Sequence, residues 1–305
     1  MLAFRHRLSL AALIAILLVP ASTAAQAFTP PPRVGSVTFA WQWIDNTGHI
    51  QSNGKLVPLG KSVTTSVLTE VDYGVTERLA ATVAVPFVFA RYKGPNHPRL
   101  ADGPDDCFCW HQSFQDFSIA GRYRLGDDFW ALTPQVRVVI PSHDYPYRGE
   151  AVVGPNLNQV LLGISGAWRL APALPKATIQ AGYTFALVEK AVEDLRANRS
   201  NLSMSVGYRL TRSLYVHGGA LLQKTHGGLT AQELFDPNTP LDLKAQADRI
   251  VKARYWHMTG GLSYELGVAD LFFSVEPYVW GRDAHDGIAY TVGSTWYFDW
   301  SRKGP

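Results

Sequence analysis

The sequence predicts an all-β fold: a transmembrane up-and-down antiparallel β-barrel of about twelve strands, with long extracellular loops and short periplasmic turns. Three observations carry this. Nearly every segment beyond the first thirty residues alternates apolar and polar side chains with period two, the mark of a strand with two different faces. Short and long connections then alternate without a break along the chain, as they do when a meander closes and every second turn falls on the same rim. Finally, the polar parity consists of Gly, Ala, Ser, Thr and charge, too polar for the core of a sandwich, while the apolar rows end in aromatics, as interfacial girdles do.

Composition agrees. The 305 residues include only 17% charged side chains, against about 25% in ordinary soluble domains, with 12% aromatics and 9 Trp. A mean hydropathy near zero excludes a bundle of apolar membrane helices, and the wealth of β-forming residues excludes disorder.

Taken in order, the chain opens with Arg5 and Arg7, an apolar run from Leu8 to Val19, and Ala25-Gln26-Ala27, the small-x-small pattern of signal cleavage. Residues 1–27 are therefore expected to be a cleaved signal peptide, and 28–305 a single outer-membrane barrel domain. The formal net charge of +3 includes both leader arginines, so nothing favours a nucleic-acid partner. The 2 cysteines, Cys107 and Cys109, are read as a loop disulfide or free thiols, because their spacing falls short of a metal site. No cofactor or metal is expected.

The first strand sets Val37, Phe39, Trp41 and Trp43 against Thr38, Ala40 and Gln42. The second sets Val67, Val71 and Tyr73 against Ser66, Glu70 and Asp72. Leu79, Val83, Val85, Phe87 and Phe89 mark the third; Phe117, Ile119 and Tyr123 the fourth; Trp130, Leu132, Val136, Val138 and Ile140 the fifth. The pattern recurs around 160–170, 177–187, 202–210, 214–222, 256–266, 271–279 and 288–300. Tight turns fall at 74–77, 126–129, 171–176, 211–213 and 267–270. Long connections fall at 47–61, 93–112, 144–158, 188–199 and 224–253, with a shorter one at 281–286 in the remaining long-loop position. The loops 93–112 and 224–253 are long enough to fold over the outer mouth, and the second has helical character at 231–235 and 242–251.

If the apolar parity meets lipid, the other lines the lumen. The expected pore-lining bases are Arg122, Arg124, Arg137, Arg169 and Arg209, and the expected acids Glu70, Asp72, Glu265 and Glu276, with Asp116 and Asp299 sharing their parity. Bases on the middle strands and acids on the closing ones would set up a transverse field that selects ions; the same groups could instead pair and pack the lumen. His143, His217 and His257 also have inward parity and are read as hydrogen-bonding members of that network. A hydrolase reading rests on His111 and Ser113, which share the outward parity of Phe117 at the outer end of the fourth strand; it lacks an outward acid to orient the histidine. The chain is not expected to be an enzyme.

With the strands in place, several segments resemble the outer-membrane family named for the meta-cleavage pathway of phenol degradation. They are Tyr73-Gly74-Val75-Thr76-Glu77-Arg78-Leu79, Val85-Pro86-Phe87, Ser113-Phe114-Gln115-Asp116-Phe117, Ile140-Pro141-Ser142-His143-Asp144-Tyr145 and Gly207-Tyr208-Arg209-Leu210-Thr211. The resemblance implies an outer-membrane channel admitting small hydrophobic or aromatic compounds. The expected function is thus passive passage of small solutes through a charge-lined lumen, with outer-membrane lipid and a small-molecule solute as partners. A structural or surface-interaction barrel with a filled lumen is the alternative.

Overall fold

The computed structural model describes residues 27–58, 60–94, 109–149, 151–192, 195–234 and 236–301. Twelve wall strands form one closed antiparallel sheet. They are β1 (Val34–Ile50), β2 (Lys61–Gly74), β3 (Leu79–Lys93), β4 (Asp116–Tyr123), β5 (Trp130–Pro141) and β6 (Gln159–Arg169), then β7 (Ala177–Val188), β8 (Ala197–Arg209), β9 (Leu214–Gly227), β10 (Arg254–Glu265), β11 (Ala269–Arg282) and β12 (Ala284–Asp299). Each pairs with its sequence neighbour. Closure comes from β12 against β1, in register from Val34 opposite Asp299 to Ile50 opposite Ala284, with one irregularity between Asn46 and Gly48. Closure leaves no sheet edge, so every strand finds its backbone partners inside the wall, as a bilayer requires.

The expected parity holds around the wall. Phe39, Trp41, Val67, Val83, Ile119, Val136, Leu162, Ile164, Leu202, Leu262 and Val292 lie on the exposed outer face. Ala84, Thr82, Thr133, Ser165 and Ser274 lie buried on the inner one. At the short-turn rim Tyr123, Trp130, Trp168, Tyr208, Tyr264 and Trp296 ring the outside, the place where amphipathic rings meet a headgroup layer.

Local chemistry makes the turns tight. The Thr76 hydroxyl accepts from the amides of Arg78 and Leu79, and Thr211 does the same for Ser213 and Leu214. Asp127 accepts from Phe129 and Trp130, its backbone bonds holding the carboxyl below the usual range. Gly126 and Gly267 supply the positive φ values, 103° and 89°, that side chains disfavour. At the other rim the β11–β12 hairpin turns on Asp283 alone, so the strands run through most of the connection expected at 281–286.

Two segments enter the lumen from its ends. At the short-turn rim the stretch 27–33 runs inward from β1. Arg33 donates its amide to Gly74 on β2, and Ala27 packs on Ala131 and Ala167 of β5 and β6. Thr133 donates its hydroxyl to the Ala27 carbonyl at 2.5 Å, and the Arg169 guanidinium lies 4.8 Å from the Phe28 ring. Pro30, Pro31 and Pro32 suit such a crossing, because they fix an extended backbone and have no amide to satisfy.

At the long-loop rim the connection 142–158 dips inward. Tyr145 and Val153 bury against Val88, Ala151 against Ala90 and Tyr92, and Leu157 against Ala186 and Val188. Above it lie three short helices, α1 (Ala231–Leu234), α2 (Leu241–Ala245) and α3 (Ala247–Ile250). Thr230 and Glu233 form a reciprocal capping box at the start of α1. Leu234 and Ile250 are fully buried there. The two connections interlock: Gly149 donates to the Ala245 carbonyl at 2.9 Å, Arg148 pairs with Asp242 at 3.3 Å, and Arg249 stacks 3.9 Å above Tyr147. Asp283 ties the cover to the wall, accepting from the Ala231 amide at 2.8 Å and the Ser52 hydroxyl at 2.6 Å. Of the two loops expected to cover the mouth, 224–253 does so. Most of 93–112 lies outside the described residues, and the deeper insertion comes from 142–158. Cys109 is disulfide-bonded; Cys107 lies outside the described residues.

Candidate functional site: the lumen

Between these two end segments lies a cavity of about 640 Å³ to which all twelve strands contribute. Its wall combines hydroxyl and amide groups, among them Gln42, Ser66, Gln135, Thr184, Asn201 and Thr291, with apolar surface. The larger inward apolar side chains are Leu68, Leu161, Leu221 and Phe272, with Ala40, Ala84, Pro86 and Ala220 beside them. A barrel of twelve strands falls between the side-chain-filled barrels of eight and the open porins of sixteen, so a partly filled interior of this size is what geometry allows.

Of the nine charged residues expected to line the pore, Glu70, Arg137 and Glu276 line this cavity, joined by Asp116. Arg137 donates to the Ser118 hydroxyl at 3.1 Å and has no carboxylate partner among the described residues. Glu276 is held by His257 at 2.7 Å, and Asp116 accepts from the Tyr145 hydroxyl. Burial, then the neighbouring Asp116, push that phenol well above its ordinary range, so Tyr145 stays a donor.

The other six lie towards the short-turn rim. Arg122 pairs with Asp72 at 2.6 Å, and Arg209 with Glu265 at 2.6 Å. Arg124 reaches the Glu77 carbonyl and Asp128 in the turns, and Arg169 covers Phe28. Acids and bases therefore meet in pairs two strands apart, which removes much of a field across the lumen, and the pairing alternative describes these groups better. Such pairs follow from the period-two pattern: residues of one parity on strands n and n+2 look across the small inward residue between them, here Thr82 for Arg122 and Asp72.

The histidines divide three ways. His257 joins the lumen network and His143 bonds to serine. His217 is buried with neither ring nitrogen hydrogen-bonded, contrary to the expected network role. Its neighbour across the ladder is Gly261, which brings no side-chain partner. Among the described residues no three His, Cys, Asp or Glu groups converge as a metal site.

The outward placement of His111 and Ser113 is overturned by a bulge. Phe114 opposes Phe87 while Ser118 opposes Ala84, so β4 and its extension His111–Phe114 hold one extra residue. Parity flips: Phe114 faces out, and Ser113 opposes the inward Val88. Ser113 Oγ then lies 3.0 Å from Nε2 of His143, and Ser142 Oγ lies 2.8 Å from Nδ1 of the same ring. A hydroxyl on each nitrogen, with no carboxylate, is a hydrogen-bonded corner of the loop rather than a charge-oriented base.

Fold and lumen together define a closed transmembrane β-barrel whose interior is of mixed polarity, partly filled and narrowed at both ends. No known family and no curated protein matches the sequence. Among solved structures, a COG4313 outer membrane channel from Pseudomonas putida F1 is similar over 92% of this chain and 100% of its own, with a TM-score of 0.67 at 14% identity. A KdgM porin aligns at a TM-score of 0.44 and 8% identity, covering 86% and 99%. The Pseudomonas putida toluene transporter TodX aligns at 0.40 and 8%, covering 91% of each. At these identities the likeness is one of fold.

Proposed function

We propose that the protein is an outer-membrane channel passing small, partly apolar solutes through its lumen without covalent chemistry. The observation that carries this is the 640 Å³ cavity, lined by polar groups and by apolar side chains such as Leu68, Leu161, Leu221 and Phe272, inside a closed twelve-strand wall. A barrel that served only as a scaffold would gain by filling this space, since a methylene buried there contributes about 0.8 kcal/mol. The fold shared with a solved outer membrane channel supports the same reading, as does the resemblance to the phenol meta-pathway family, whose members would admit aromatic compounds. Export through a signal peptide cleaved after Ala27 completes the proposal. Cleavage there leaves Phe28 as the first residue, so its stacking on Arg169 becomes the inner segment's outermost hold.

Conductance of the refolded protein in a planar bilayer tests the channel. Discrete conductance steps are expected. Their absence, both in the intact chain and after trimming 228–253, would establish the filled-lumen alternative.

A further inference from the structure

At the long-loop ends of β9, β10 and β11 three cations stand side by side. Lys224 is in register with Arg254, and Arg254 with Arg282. Two residues deeper, Leu222, Trp256 and Trp280 form the next row on the same outward face. All three cations are exposed, and the Arg254 guanidinium lies 5.6 Å from the Trp280 ring centroid. Adjacent strands lie about 4.8 Å apart, so the three charges fall within roughly 10 Å.

Nothing among the described residues neutralises them. The flanking groups are Ser200 on β8, opposite Lys224, and His226, which bonds to Ser200. On β12, Asp286 accepts from the Thr47 hydroxyl and makes no ion pair with Arg282. Lys252 just precedes β10. The like-charge pair Lys61 and Lys93, on β2 and β3, differs because Asp45 binds Lys61 at 2.6 Å. At the opposite ends of β9, β10 and β11 the matching outward row is Leu214, Tyr264 and Leu271. On these three strands the outward row of cations belongs to the long-loop rim only.

Like charges directly opposite one another destabilise a sheet. A row of three, projecting sideways from the wall above a Trp-rich band, becomes favourable when an anion spans it. We propose that this row binds the phosphate groups of a phosphorylated lipid of the outer leaflet, whose acyl chains lie along Leu222, Trp256 and Trp280. Arginine forks suit phosphate oxygens. The row faces away from the lumen, so a solute in transit does not meet it and a lipid does.

The test uses the full chain, refolded in detergent and titrated with a bis-phosphorylated glucosamine-disaccharide lipid or its dephosphorylated form, with retention read by native mass spectrometry. At about 1 kcal/mol per cation near the surface, Arg254→Ser should weaken retention about fivefold and the triple Lys224→Ser, Arg254→Ser, Arg282→Ser about a hundredfold. Lys224→Arg should retain the lipid. An equal charge change at the other rim, Arg78→Ser with Lys176→Ser and Arg212→Ser, should leave retention unchanged. Heat-modifiable migration confirms folding of each variant, and Arg254→Ser alone decides if the triple fails. The proposal is overturned by equal retention of both lipids, by an equal loss in the other-rim control, or by displacement with millimolar inorganic phosphate, which would make the row a free-anion site.

Discussion

Arg122 on β4 donates to Asp72 on β2 at 2.6 Å, while Thr82 on the strand between donates to the same carboxylate oxygen at 2.8 Å. Arg122 is 2% exposed, so this pair sits where water cannot replace a lost partner. Asp72→Leu alone should cost about 3–5 kcal/mol, whereas Asp72→Leu combined with Arg122→Met should recover most of it. Urea unfolding from lipid vesicles checks both. A double variant as damaged as the single would show that the pair supplies net stability.

The pair between Arg209 and Glu265 has the same length and the same two-strand spacing, but its side chains are 42% and 37% exposed. Solvent screening should reduce its worth to at most about 1 kcal/mol. Arg209→Ser is expected to leave the unfolding midpoint nearly unchanged, and a loss comparable to that at Asp72 would contradict this.

Arg137 is the cavity cation without a carboxylate, whereas Glu276 has His257. Arg137→Ser should shift the reversal potential in a salt gradient towards cation selectivity, because Glu70, Asp116 and Glu276 remain. Arg209→Ser, whose charge is already paired, should shift it much less. Equal shifts would restore the field across the whole lumen.

Glu189, just beyond β7, accepts from the Asn158 amide at 3.0 Å and from its side chain at 2.7 Å, and these bonds hold its carboxyl below the usual range. A depressed pKa stabilises the folded loop above the unfolded value, near 4.3, and the gain fades as pH falls through the folded one. The stability difference between wild type and Glu189→Gln should therefore be present at pH 7 and close as pH drops below about 4. A difference constant with pH would assign it to shape, not charge.

The wall was legible because a barrel repeats one rule: period two fixes which side of Leu162, Val136 or Leu262 meets lipid, and turn chemistry at Thr76 and Asp127 fixes the rims. The bulge before Asp116 was not, because one extra residue leaves the local alternation of Ser113 and Phe117 looking continuous. Tyr145 reads as a loop aromatic until Asp116 and Val88 are beside it. Residues 28–33 belong to the expected barrel domain but have no place in its strand pattern, although the run Pro30-Pro31-Pro32 does mark an extended segment that cannot join a ladder. Each miss depends on contacts between segments distant in sequence, which periodicity does not encode. The apposition of Arg122 with Asp72 was encoded in part: both parities were right, and the two-strand spacing was the clue.

One pair of substitutions tests passage through the lumen most directly. Thr184 faces the cavity from β7, while Ile164 faces outward from β6, beside it in the wall. Thr184→Trp should cut single-channel conductance in planar bilayers severalfold, and Ile164→Trp, the same bulk added on the lipid side, should leave it unchanged. Equal conductance in both variants and the wild type would show that ions do not pass through this cavity.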